Sequence, residues 1–71
     1  MRLVINGKET QTADELMVSG LLKERNVKWA DMVSVELNGT IVDRADFETT
    51  ALGEGDQVEF LYFMGGGRGV N

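Results

Sequence analysis

The chain contains no cysteine, no histidine and no proline. Without cysteine there can be no disulfide, no thiolate zinc site and no thiol nucleophile. Without histidine the commonest acid–base side chain is missing as well. Cations are few: 7 Lys and Arg stand against 12 Asp and Glu, a net charge of −5. That sign argues against nucleic acid, because duplex binding needs clustered Lys and Arg to displace counterions. No apolar run approaches the ~20 residues of a membrane span, and the start lacks the charged-then-apolar pattern of a signal peptide. Seventy-one residues suit one small domain that buries only ~60% of the surface its unfolded chain exposes. The expectation is a soluble cytoplasmic domain that binds no metal and no cofactor of its own and is too plain chemically to be an enzyme.

What is present is a run of short, punctuated segments. Arg2-Leu3-Val4-Ile5 is apolar and partly β-branched, as an interior strand would be, and Asn6-Gly7 after it is a strong hairpin signal because both residues accept positive φ. Lys8 to Gln11 is the polar return strand, suited to a sheet edge. From Val18 to Arg25, Val18, Leu21 and Leu22 fall at i, i+3 and i+4 among charged residues, which predicts a helix with one buried stripe. Thr12 and Glu15 have capping-box spacing and would start the helix near Ala13, leaving Gly20 in mid-helix at a cost of up to ~1 kcal/mol. A start near Val18 puts Gly20 in the first turn, where it costs less, and is preferred.

Met32 to Leu37 alternates, with Val33, Val35 and Leu37 on one face and Ser34 and Glu36 on the other. Asn38-Gly39 turns the chain into Thr40-Ile41-Val42. The polar stretch from Asp43 to Thr49, around Phe47, suits a loop or a single helical turn. A glycine-rich turn at Leu52–Asp56 leads into the last strand, Gln57 to Phe63. Two hairpins, one helix and a final strand make an α+β arrangement, a sheet crossed by one principal helix. Trp29 and Phe47 are read as core or rim residues.

The end of the chain departs from this pattern. Residues 1–64 read as the folded domain, and 65–71 as a flexible tail with four glycines in seven residues. Glycine has no side chain to bury and the most backbone entropy to lose, so packing does not explain the run. A phosphate loop would need a following helix and Lys-Ser/Thr, which are lacking here. The segment is also too short for a collagen repeat.

Taken together, the two Asn-Gly hairpins, Ile41–Phe47, Leu52–Glu59 and the terminal Gly65-Gly66-Gly67 resemble the ThiS-type sulfur carriers of thiazole (thiamine) biosynthesis. That family has the ubiquitin-like β-grasp fold. The small subunits of molybdopterin synthase are a sister family with prolines before the terminal glycines, where Tyr62-Phe63-Met64 stands here. The resemblance covers residues 2–67. It implies a protein co-substrate whose C-terminal glycine carboxylate attacks the α-phosphate of ATP on a separate adenylating enzyme. The acyl-adenylate then becomes a thiocarboxylate, which delivers sulfur to an acceptor such as thiazole synthase. By this resemblance Gly67 carries the sulfur and Gly66 belongs to the threading arm.

The sequence departs from the family in one place: Arg68-Gly69-Val70-Asn71 follows the glycines. The carboxyl of Gly67 is therefore in a peptide bond and cannot be adenylated. Removal by a processing protease, a cloning artefact, and a fold retained for binding alone are the three accounts. The other function class left open is accordingly a β-grasp interaction module with an inert tail. Molybdopterin, an amino acid or tRNA remain alternative destinations for the sulfur.

Alternation in the last strand puts Val58, Phe60 and Tyr62 on one side and Glu59, Leu61 and Phe63 on the other. A sheet covered by one helix keeps an open face, so Leu61 and Phe63 are expected to form an apolar partner surface beside the arm. Arg44 is a further candidate partner contact, for an acidic surface, set against the commoner fate of a solvated charge. Glu48, Glu54, Asp56 and Glu59 could steer docking onto a basic adenylating enzyme.

Overall fold

The computed structural model describes residues 1–28 and 30–62. Trp29, Phe63, Gly66 and Gly67, and with them the expected boundary between domain and tail, lie outside the described residues.

Among the described residues the strands are β1 (Arg2–Ile5), β2 (Lys8–Gln11), β3 (Val33–Leu37), β4 (Thr40–Val42) and β5 (Gln57–Tyr62), with one α-helix, α1 (Val18–Glu24). They form one sheet in the order β2-β1-β5-β3-β4. The β1–β5 pair is parallel, and the β1–β2, β3–β4 and β3–β5 pairs are antiparallel. This is the ubiquitin-like β-grasp, a mixed sheet with the last strand in its centre. Both hairpins turn as expected. Asn6 and Gly7 have φ of 50° and 82°, and Asn38 and Gly39 have φ of 51° and 88°, so both central residues of each turn are left-handed.

The helix begins at Val18 for a reason that lies far away in the sequence. Glu15 is itself left-handed, with φ 60°, which breaks any helix running through it. Thr12 does not cap; its hydroxyl donates to the carbonyls of Ala13 and Met1. The first free amides of α1 find their partners instead in the loop before β5: Val18 N–H donates to Thr50 O at 3.0 Å and Ser19 N–H to Phe47 O at 2.9 Å. Those carbonyls satisfy donors that a cap side chain usually takes. At the other end Asn26 is left-handed (φ 56°). Its N–H reaches Lys23 O while that of Val27 reaches Leu22 O, a Schellman closure with asparagine where glycine is commoner.

The helix lies on one face of the sheet. Val18, Leu21 and Leu22 pack with Leu3, Ile5, Val35 and Val58 as the periodicity requires, and Val33, Phe47 and Leu52 complete the core. Leu3, Val18, Leu21, Val33, Val35 and Val58 are fully buried. Two short 3-10 turns, Ala30–Met32 and Arg44–Asp46, flank the β3–β4 hairpin. The first shortens the alternating segment, so the strand opens at Val33 and Met32 is left half exposed. Among the described residues no helix is long and apolar enough to cross a membrane.

Candidate functional site

The expected arm leaves the domain from the end of β5, so the site reduces to what holds that strand and what its two faces present. β5 is gripped on both sides. Its neighbours β1 and β3 supply ladder bonds, and the two turn asparagines add side-chain bonds. Past the end of β1, the side-chain Oδ1 of Asn6 accepts the N–H of Phe60 at 2.9 Å. The Oδ1 of Asn38 accepts the N–H of Gln57 at 2.9 Å, and its Nδ2 donates to Asp56 Oδ1 at 3.1 Å. Each asparagine thus makes a tight turn and pins the central strand. The sequence signalled only the turns, because the bonds to β5 join residues 54 and 19 positions apart.

The faces of β5 differ sharply. On the helix side Val58 is fully buried and Phe60 packs against the core, while Tyr62 stands 43% exposed at the strand's end. The opposite face is the open one. Register places Glu59 directly across from Glu36, Leu61 across from Ser34, and Ile41 across from Glu36 on its other side. Leu61 is on this open face as the alternation suggests, half-buried rather than fully exposed. Ile41 is 51% exposed.

Arg44 is differently placed from a free contact for an acidic partner. Its guanidinium donates to Ala30 O at 2.9 Å and to Val33 O at 2.6 Å, and it lies 5.2 Å from the Phe47 ring centroid. It ties the second 3-10 turn to the start of β3, on the helix side of the sheet. Replacing Arg44 with alanine leaves two carbonyls without that donor and removes the cation from the ring. A loss of about 1–3 kcal/mol in urea unfolding is expected. Lysine should restore little, because an ammonium cannot fork to both carbonyls while lying flat on the ring. Stability unchanged in the alanine variant would refute this reading of Arg44 as an internal tie.

The acidic group named in the sequence is also divided by the fold. Glu54 meets Arg2, with Oε2 at 3.5 Å from the guanidinium, and Asp56 accepts Gly53 N–H at 2.7 Å. Glu48 lines a cleft on the helix side together with Lys23 and Arg44. Of the four, Glu59 alone faces out from β5, and its neighbour there is Glu36, which charge counting did not single out.

Two open clefts of about 500 and 470 Å³ flank the sheet. Arg2 and the two carboxylates paired with it, Glu9 and Glu54, line the first. Phe47 and the engaged Arg44 line the second. Among the described residues no three Asp or Glu side chains gather as metal ligands. The carboxyl of Asp14 is held below its ordinary pKa by a hydrogen bond and an ion pair from the α-amino group of Met1 at 2.8 Å. It sits at the entry to the helix loop, away from β5.

Comparison with known proteins places these features in context. The model of the ThiS family matches residues 3–67. A crystal structure of a thiamine biosynthesis protein (ThiS) from Geobacter metallireducens superposes with a TM-score of 0.87 at 48% identity, covering 94% of this chain and 100% of that one. A solution structure of a thiamine biosynthesis protein from the same organism gives a TM-score of 0.78 at 47% identity, over 96% and 90% of the two chains. A thiazole synthase of Paramagnetospirillum magneticum is 39% identical over 67 residues, which are 94% of this chain and 20% of that protein. The chain thus spans about a fifth of the curated relative it matches.

Proposed function

The chain belongs to the ThiS family, and from that membership we propose that it is a sulfur carrier of thiamine biosynthesis, a protein co-substrate rather than a catalyst. The sulfur is carried on Gly67. The observation that supports this assignment most directly is where the family match stops: it runs to residue 67, the last of three consecutive glycines. These glycines follow two residues after the central strand of the sheet.

The chemistry asks little of the domain. Once freed, an α-carboxyl has a pKa of ~3.3–3.7, so it is anionic at neutral pH with no base to help it. On a partner enzyme one carboxylate oxygen bonds to the α-phosphorus of ATP, and pyrophosphate leaves. Sulfur supplied at the oxidation level of hydrosulfide then bonds to the acyl carbon and displaces AMP, and the resulting thiocarboxylate passes its sulfur to the acceptor. ATP is bound by the activating partner. The domain's task is to present the arm, which is consistent with a chain lacking histidine and cysteine.

Thiazole synthase is the acceptor we favour, supported by the likeness to one segment of a protein of that name. For any of this to proceed, whatever follows Gly67 must be removed, and a protease is the agent proposed. The intact mass of the protein from its own cells tests the reading. The expected species ends at Gly67, and a fraction of it is heavier by the difference between sulfur and oxygen. A chain found only with residues 68–71 attached, in cells making thiamine, would overturn it in favour of a binding module.

A further inference from the structure

The two Asn-Gly pairs of the chain are alike in everything local. Asn6 and Asn38 have φ of 50° and 51°, and the glycines that follow have φ of 82° and 88°. All four residues are exposed, and nothing lies within 4 Å of where a side chain would start at either glycine. Asn-Gly is also the pair in which asparagine most readily loses its side-chain amide, because glycine leaves its backbone nitrogen open to approach. That nitrogen gives up its proton to solvent and bonds to the asparagine Cγ, and the side-chain nitrogen leaves as ammonia. Water then opens the cyclic imide at either carbonyl, giving aspartate or isoaspartate. The net change is hydrolysis of one amide, with nothing oxidised or reduced.

What differs is how each side chain is held. Asn38 is bonded at both of its polar atoms: Oδ1 accepts Gln57 N–H at 2.9 Å and Nδ2 donates to Asp56 Oδ1 at 3.1 Å. Asp56 is itself fixed, its other oxygen accepting Gly53 N–H at 2.7 Å. Asn6 is bonded at one atom, its Oδ1 accepting Phe60 N–H at 2.9 Å, and among the described residues its Nδ2 has no partner. Swinging Cγ onto the glycine nitrogen therefore breaks one bond at Asn6 and two at Asn38, one of them to a carboxylate. We infer that Asn6 is the residue at which the folded chain deamidates, and that the fold shields Asn38 in the same dipeptide. The products differ in their effects as well. Aspartate at 6 keeps an acceptor for Phe60 N–H, whereas aspartate at 38 sets a second carboxylate against Asp56 with no donor between them. Isoaspartate at 6 hangs its carboxylate directly on Cα, one bond short of Phe60, so the strand that leads to the glycines loses that side-chain tie.

Peptide mass mapping of the full chain after prolonged incubation in mildly alkaline buffer tests this, because trypsin leaves the two sites in separate peptides, 3–8 and 29–44. In the folded chain the Asn6 peptide should gain the mass of NH replaced by O about tenfold faster than the Asn38 peptide, the margin of one further charged hydrogen bond. In concentrated urea the two should react at comparable rates, since both side chains are then free. Thermal melts give a second readout. Asn6→Asp should leave Tm nearly unchanged, while Asn38→Asp lowers it by roughly 4–8 °C. Asn38 reacting as fast as Asn6 in the folded chain would overturn the assignment, as would no reaction at either site until urea is added. A difference that persists in urea would trace it to the neighbouring residues and not to the fold, and the inference would fall. Equal Tm for the two aspartate variants would remove the bond to Asp56 as the shield and overturn it as well.

Discussion

A chain ending at Gly67 is expected to release pyrophosphate from ATP when mixed with its cognate activating enzyme, while the chain continuing through Arg68 releases none. The difference is one of kind. At a free terminus Gly67 offers an anionic oxygen with a pKa of ~3.3–3.7. Followed by Arg68 it offers an amide carbonyl, whose oxygen carries no formal charge and whose carbon is already bonded to nitrogen. A third protein, truncated after residue 67 and carrying Gly67→Val, keeps the carboxylate. Its branched side chain would narrow the backbone's approach to the α-phosphate, which glycine leaves open. We expect its pyrophosphate release to fall near background. Reaction of the longer chain without cleavage would show that Gly67 is not the activated residue. Silence from all three proteins with every activating enzyme of the same cell would leave the domain a binding module.

Leu21→Ala is expected to cost ~2–5 kcal/mol, read from chemical denaturation, because it empties a site in the middle of the core. Leu21 is 0% exposed and lies on the helix stripe between Val18 and Leu22, over Leu3, Val35 and Val58. Globular chains hold about 0.05–0.15 kcal/mol per residue, or roughly 4–10 kcal/mol for one of this length. The substitution therefore removes a large share of the total and should leave a substantial unfolded population at moderate temperature. A change of only a few tenths of a kcal/mol would mean the helix packs by another face.

The sequence by itself was enough for everything that local physics decides. Asn-Gly pairs force left-handed residues at fixed points, so both hairpins were legible. The spacing of Val18, Leu21 and Leu22 specified the buried stripe, and alternation in the last strand separated Val58 from Leu61. The glycine run could be recognised as unexplained by packing because glycine buries nothing. Together with the hairpins it carried the resemblance to the family that the chain proves to belong to. The features that needed the tertiary structure all join distant residues. The helix is capped by carbonyls of Phe47 and Thr50, some thirty residues downstream, where a reader of the sequence looks for a side chain close by. Arg44 reads as a free cation until the fold brings Ala30 O and Val33 O within reach of it. Glu36 and Glu59 are ordinary outward-facing residues of two strands, and only the register of β3 against β5 makes them neighbours. Periodicity tells which face of a strand a residue occupies; strand order and register decide what stands beside it, and those are settled by the packing of the whole sheet.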